Sequence, residues 1–201
     1  MALADFDDDG RLDLFEANGR VERASDPPPG DPYAEENVLL RGGPDGRFEE
    51  VLPRGGTRAP LVATSRGAAF GDVDGDGGLD VLVVNRDGPA HLLHNVVPAR
   101  GHWLRLEVRE RSGRAALGAL VTVVEGERRR DYRVRGAYSY ASANDTALHV
   151  GLGDASRVSE LVVRWVDGTL ESFGPTDTDR VVTLRRGRGR ETTDTGHPRR
   201  D

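Results

Sequence analysis

From Gly101 onward, apolar and polar side chains alternate with the two-residue period of a half-buried strand. Leu104, Leu106 and Val108 share one face, with Arg105, Glu107 and Arg109 opposite, and Leu161, Val163 and Trp165 repeat the pattern. The same signals predict strands at about 118–125, 130–135, 148–151, 169–173 and 180–185, with turns at Glu125-Gly126-Glu127 and Asp167-Gly168. That half reads as a small antiparallel β-sandwich or curled sheet of roughly six to eight strands. Upstream, the apolar segments are shorter and lie between loops. Asn37–Arg41 and Arg47–Val51 flank Gly42-Gly43-Pro44-Asp45-Gly46 as a hairpin. Arg20–Tyr33, with Pro27-Pro28-Pro29-Gly30 inside it, propagates neither helix nor central strand. Val81-Leu82-Val83-Val84, bounded by Asn85 and Gly88, is a β-branched run of the kind buried on both faces. Ala90–Asn95 then repeats the role of Asn37–Arg41. The fold class is all-β.

Two stretches interrupt this pattern in the same way. Asp5-Phe6-Asp7-Asp8-Asp9-Gly10-Arg11-Leu12-Asp13 and Asp72-Val73-Asp74-Gly75-Asp76-Gly77-Gly78-Leu79-Asp80 place carboxylates at relative positions 1, 3, 5 and 9 and glycine at position 6. Such a loop repels itself unless a hard cation taking six to eight oxygens sits in it, and the glycine permits the bend that brings the carboxylates together. The expected ion is calcium, in two sites. The predicted ligands are Asp5, Asp7, Asp9 and Asp13, then Asp72, Asp74, Asp76 and Asp80, with the carbonyls of Arg11 and Gly78 as further oxygens. An EF-hand puts a glutamate at position 12, and Glu16 meets that in the first copy. The second copy has Val83 there, followed by strand rather than helix. The loops are therefore expected between strands, with Asp13 and Asp80 opening the outgoing ones. They stand 67 residues apart, so the repeat unit is several strands with one acidic loop.

Charge follows the same division. Residues 1–98 carry 19 acidic and 9 basic side chains, and residues 99–201 carry 15 and 19. Two divalent ions would offset about four units of the acidic excess. All 28 basic residues are arginine, and there is no cysteine, so neither disulfides nor thiolate metal sites are available. Met1-Ala2-Leu3-Ala4 runs into the first loop with no signal-peptide pattern, and no apolar run reaches membrane-spanning length. Residues 185–201 hold 6 arginines against 3 acids and read as a solvated tail, not a nucleic-acid surface, which needs a basic stripe on the fold with aromatics beside it.

Ala69-Phe70-Gly71-Asp72-Val73-Asp74-Gly75-Asp76-Gly77-Gly78-Leu79-Asp80 resembles the FG-GAP (VCBS) repeat of integrin α-chain propellers and many bacterial secreted proteins. The first copy has Leu3-Ala4 in place of the Phe-Gly lead-in. The resemblance covers residues 1 to about 97 and implies a β-propeller blade with a calcium loop between strands. A closed propeller has at least about four blades; fewer than two are present, so a partial propeller is expected. Its uncovered blade face implies missing upstream blades or self-association. The second half resembles the ASPIC/UnbV domain through Gly101-His102-Trp103-Leu104, Leu117-Gly118-Ala119, Tyr138-Ser139-Tyr140 with Asn144-Asp145, Leu148-His149-Val150-Gly151-Leu152-Gly153 and Val163-Arg164-Trp165-Val166-Asp167-Gly168. That domain habitually follows FG-GAP repeats in the cartilage acidic protein-like family. The expected organisation is 1–98 calcium-binding repeats, 99–187 ASPIC/UnbV-like β domain and 188–201 disordered tail.

Three constellations bear on catalysis or binding. His91 and His94 fall on opposite sides of a strand, which excludes their joint chelation. Ser139, Asp145 and His149 have the residue types of a nucleophilic triad, but Gly136-Ala137-Tyr138-Ser139-Tyr140-Ala141 lacks the second glycine of a nucleophile elbow. Tyr138, Tyr140, Asn144 and Asp145 are candidates for a sugar-binding surface. The function expected is a non-enzymatic calcium-binding interaction or adhesion module, the C-terminal part of a larger secreted or cell-surface protein, with a protein or carbohydrate ligand and neither nucleic-acid binding nor membrane insertion. The alternative is an accessory protein in enediyne-type secondary-metabolite biosynthesis or a cryptic hydrolase.

Overall fold

A computed structural model describes residues 1–22, 25–26, 29–98 and 100–193. Pro27 and Pro28 of the proline run, and the end of the arginine tail from residue 194 on, lie outside the described residues. Among those described the protein is all-β, with a single 3₁₀ turn at Arg54–Gly56. It divides into two compact units. The first comprises Met1–Asp7, Arg11–Ala99 and Ala137–Asn144; the second comprises Asp8–Gly10, Arg100–Gly136 and Asp145–Asp201.

The first unit holds β1 (Ala2–Ala4), β2 (Asp13–Glu16), β3 (Glu35–Glu36), β4 (Val38–Gly42), β5 (Phe48–Glu50), β6 (Val62–Ala63), β7 (Ser65–Gly71), β8 (Asp80–Asn85) and β9 (His91–Leu93). They form two antiparallel sheets, β1-β2-β4-β5 and β7-β8-β9, and the small ladder β3-β6. The two sheets are built alike. Each acidic loop joins two adjacent antiparallel strands, β1 to β2 and β7 to β8, and the outgoing strand opens on Asp13 or Asp80, as the spacing predicts. No helix flanks either loop, which excludes the EF-hand geometry. The β4–β5 hairpin closes at Gly43–Arg47, where Gly46 takes φ 77°.

Phe6, Phe15, Ala68, Val81 and Val83 form the buried core, with Phe70 edge-on to Phe6 and Phe15 at 5.5 and 6.3 Å between ring centroids. The run Val81–Val84 differs from expectation. Val81 and Val83 are buried, whereas Leu82 and Val84 are 42% and 49% exposed, so β8 is covered on one face in this unit. A β-branched run reads as doubly buried only when another layer lies on its second side. The segment Ala137–Asn144 borders β7: Ser142 Oγ accepts from Ala68 N–H at 3.0 Å and Asn144 Oδ1 from Phe70 N–H at 2.7 Å. These bonds satisfy edge-strand donors that would otherwise invite another strand.

The second unit contains β10 (His102–Arg109), β11 (Leu120–Glu125), β12 (Arg128–Arg133), β13 (Leu148–Gly153), β14 (Arg157–Val158), β15 (Glu160–Arg164), β16 (Leu170–Ser172), β17 (Thr176–Asp177), β18 (Arg180–Arg185) and β19 (Arg190–Glu191). Sheets β13-β10-β18 and β12-β11-β15-β16-β19 share one core: Leu104, Leu106 and Leu184 come from the first, Val121, Val123, Leu161 and Val163 from the second, and Trp165 joins them. This is a sandwich, as expected, but the unit holds ten strands among the described residues where six to eight were expected, and one pairing, β10 beside β18, is parallel among antiparallel ones. The region read as a solvated tail starts as structure. Glu171, buried in β16, accepts the N–H groups of Gly187 and Gly189, and the chain turns back to pair β19 with β16. A basic, glycine-rich composition hides this because the turn is held by a carboxylate sixteen residues upstream.

Candidate metal loops

In both loops the backbone bends left-handed at the same places. Position 6 is Gly10 at φ 83° and Gly77 at φ 90°, and position 4 is Asp8 at φ 57° and Gly75 at φ 79°. Aspartate is among the few side chains that tolerate this region, which lets the first loop keep the turn without a second glycine.

The position-9 aspartates hold the loops. Asp80 accepts from Val73 N–H at 3.0 Å and from Asn95 N–H at 2.8 Å, using one oxygen for each. Asp13 does the same with Phe6 N–H at 2.9 Å and Gly42 N–H at 2.8 Å. One bond closes the loop on its own second residue, and the other ties it to the end of the neighbouring strand pair. Asp13 is 3% and Asp80 2% exposed, so each buried charge is stabilised by two backbone dipoles. In the second loop, Asp72 accepts from Gly75 and Gly77, Asp74 from Asp76, and Asp76 Oδ1 from Gly78 at 2.7 Å. These short-range bonds hold the carboxylates of the second loop in place around its bend.

Asp5, Asp7 and Asp13 each bring one oxygen within 4.8 Å of the others, and so do Asp72, Asp74 and Asp80. Asp76 makes a further group of the same compactness with Asp74 and His94. Asp9 is not in the first group and counts with the second unit. Arg11 donates from Nε to the Gly42 carbonyl at 3.1 Å, so this side chain helps anchor the loop against β4. His94 is the residue that sequence reasoning passed over. Tested only as a partner for His91, it has none there: His91 Nδ1 lies 3.2 Å from Asn85, and His94 Nε2 lies 2.8 Å from Asp74 Oδ2. No local sequence signal marks it, because its partner Asp74 lies twenty residues away.

Three carboxylate oxygens converging per loop, on a backbone that supplies glycine at the bend, is the donor chemistry a hard divalent ion takes. The donor set present fits calcium.

Ser139, Asp145 and His149 do not bond to one another. Asp145 pairs with Arg105. Burial works against its charged form, but Arg105 and the Ala147 N–H outweigh this and hold its carboxyl below the usual carboxylate range. His149 is a packed histidine in the second unit, with Nε2 2.5 Å from Asp8 Oδ1 and its ring stacked near Trp103. Beside it, Gly153 N–H donates to the Asp8 carbonyl at 2.7 Å, and Gly101 packs so close that a Cβ there would meet that oxygen at 2.2 Å. Asn144, proposed for a sugar surface, uses its amide oxygen on β7, while Tyr140 is 77% exposed. No helix among the described residues is long and apolar enough to cross a membrane.

Residues 5–83 match the FG-GAP-like repeat family, and residues 109–191 match the ASPIC and UnbV family. The chain is 29% identical over 218 residues to cartilage acidic protein 1 of Mus musculus, an alignment covering 98% of this chain and 32% of the relative. It is 31% identical over 183 residues to the Xenopus tropicalis protein of that name, covering 85% and 26%, and 29% identical over 176 residues to the Homo sapiens one, covering 86% and 25%. The chain thus spans a quarter to a third of the length of the curated relatives it matches.

Proposed function

We propose that this chain, which joins an FG-GAP-like repeat to an ASPIC/UnbV domain, is a calcium-stabilised, non-catalytic interaction module of a secreted or surface protein, engaging a protein or carbohydrate partner. The observation that carries the reading is the twice-built loop: three convergent carboxylates, with the position-9 aspartate locked by two backbone N–H groups, in two sheets of the same construction. In this reading Asp5, Asp7 and Asp13 hold one calcium ion, and Asp72, Asp74, Asp76 and Asp80 the other, with the carbonyls of Arg11 and Gly78 as added oxygens. The ion offsets the repulsion of each loop, so its binding energy adds to the stability of the first unit. A role away from catalysis is favoured by the engagement of Asp145 and His149 in separate structural pairs. Outside the cell, where calcium is plentiful, sites with a Kd on the order of 10⁻⁴ to 10⁻³ M would fill.

Calorimetric titration of the full chain with calcium tests this. Two sites are expected, with one lost in Asp76→Ala. Hydrogen exchange should show calcium slowing amides of the first unit and leaving β10–β18 unchanged. An absence of calcium heat together with unchanged exchange overturns the proposal.

A further inference from the structure

The two sheets of the first unit are repeats of one another, so residues of one have counterparts in the other. Up to the end of the outgoing strand the counterparts stand 67 apart, as the loops do, and the returning strands align on the N–H that ties the position-9 aspartate, Gly42 with Asn95. The ladders agree. Leu3, Leu14 and Leu40 lie opposite one another across β1, β2 and β4 as Phe70, Val81 and Leu93 do across β7, β8 and β9, and Phe15 pairs with Leu39 as Leu82 pairs with Leu92.

The sheets meet through faces that are not counterparts. The first gives Phe6, Phe15, Ala17 and Leu39 to the shared core, and the second gives Phe70, Leu79, Val81 and Leu93. The contact is head to tail, with the Phe15 face of one repeat set on the Val81 face of the other. One face of each sheet remains. In the second sheet the counterparts of Phe6, Phe15, Ala17 and Leu39 are Val73, Leu82, Val84 and Leu92, all apolar and exposed; Val73 is 63% exposed where Phe6 is 7%. In the first sheet the counterparts of Phe70, Leu79, Val81 and Leu93 are Leu3, Leu12, Leu14 and Leu40, all apolar, with Leu3 and Leu12 at 52% and 51% exposure. A sheet face turned to water carries polar side chains at alternate positions. These two faces carry apolar ones, and they match the two halves of the contact already made inside the chain.

We propose that the Leu82 face of the second sheet docks on the Leu14 face of the first sheet of a second copy of this chain, repeating between copies the head-to-tail contact that joins the two sheets within one. The occupant follows from the counterparts. Val73, Leu82 and Leu92 form the surface one repeat presents, Leu3, Leu14 and Leu40 form the surface it is presented to, and every copy carries both. The two free faces lie on opposite sides of the sheet pair, so one copy cannot join them to each other. The interface is heterologous, and each copy takes a neighbour on either side, so assembly passes beyond the dimer or closes into a ring. None of this depends on an ion in either loop, since register and burial carry it.

The chain has no cysteine, so introduced thiols report the contact without background. Within one copy the rings of Phe6 and Phe70 lie 5.5 Å apart, and their counterparts across the proposed interface are Val73 and Leu3. A short bis-maleimide should join an equimolar mixture of full-length Val73→Cys and Leu3→Cys at least about tenfold faster than it joins either variant to itself, which neither random collision nor a dimer of like faces produces. Both positions are exposed, so the substitutions leave the fold in place. Sedimentation of the native chain from micromolar to near-millimolar concentration should show mass rising with concentration. Leu82→Lys, which would bury an ammonium in the interface, should weaken that association at least about tenfold while the monomer stays folded. A chain that stays monomeric throughout, a single variant that cross-links as fast as the mixture, or native-like association of Leu82→Lys overturns the proposal.

Discussion

Replacing Asp80 by asparagine in the presence of chelator separates the hydrogen-bonding role of the position-9 carboxylate from its role toward an ion. Asp80 is 2% exposed and gives one oxygen to Val73 N–H and the other to Asn95 N–H. Asparagine retains one acceptor and turns an NH₂ toward the second N–H, so one charge-assisted bond is lost and one buried donor is left facing another. A hydrogen bond to a charged group contributes about 1.5–3 kcal/mol and an unsatisfied buried donor costs about 1–3 kcal/mol, while removing one charge from the ion-free, self-repelling loop offsets part of that sum, so a net loss of about 2–3 kcal/mol is expected. Asp80→Ala, which loses both bonds, should cost more. Against the roughly 5–15 kcal/mol typical of a domain this is a large share.

The assay must see the first unit. Both tryptophans, Trp103 and Trp165, belong to the second, so tryptophan fluorescence is blind to the change. Hydrogen exchange of peptides covering Phe70–Asn95 in chelator reads it directly. A loss of about 2–3 kcal/mol should speed their slowest amides about 30- to 150-fold where exchange proceeds through opening of the whole unit. Asp76→Ala, whose carboxylate accepts from Gly78 N–H at the exposed tip, should leave the same amides within about threefold. Equal exchange in Asp80→Asn and the native chain without metal would refute the claim that Asp80 is a structural anchor as well as a ligand.

Two other perturbations follow from particular contacts. The Asp167 carboxyl accepts hydrogen bonds from the Thr169 hydroxyl and then from Arg186, which lower its pKa to about 2. Its contribution is fully present above the ordinary carboxylate value and is lost as pH falls through about 2; a carboxyl NMR titration should find that midpoint, and Asp167→Asn should match the native chain below it. Asn144→Ala removes the acceptor for Phe70 N–H and should accelerate exchange at that amide with little effect on β10 or β13, a local opening that site-resolved exchange detects.

Legibility in the sequence tracked the range of the contacts involved. Alternation at Leu104, Leu106 and Val108 and at Leu161, Val163 and Trp165 marked core faces, since burial on one face of a strand is written at every second residue. The loops were readable for the same reason: positions 1 to 9 are local, and so are the bends at Gly10 and Gly77. What stayed hidden depends on residues far apart in the chain. Nothing near Asp80 announces that Asn95 ties it, and nothing near Asp74 points to His94, twenty residues on. Glu171 gathering Gly187 and Gly189, and Ser142 and Asn144 bordering β7, are likewise invisible to a window of ten residues. The parallel neighbour β18 escaped because alternation reports faces, not partners or their direction.

The Val81–Val84 run shows how such a reading alters a mutation's expected effect. Taken as a strand buried on both sides, it makes Val83→Asp a probe of association, because the aspartate would sit on a face seeking a partner. In the structure Val83 is fully buried among Phe6, Phe15 and Ala68, while Leu82 points to the other side, opposite Leu92, which is 55% exposed. A carboxylate at Val83 enters a site with no cation in its cluster, and it either ionises at a cost of several kcal/mol or takes up a proton and still leaves polar atoms unsatisfied. Val83→Asp should therefore unfold the first unit outright. Leu82→Lys, set on the exposed side where the ammonium keeps its water, should leave stability within about 0.5 kcal/mol. Urea unfolding followed by exchange in β7 and β8 separates the two. If Leu82→Lys destabilises the unit as much as Val83→Asp does, both faces of β8 are covered in solution, and the one-sided burial described for this strand is wrong.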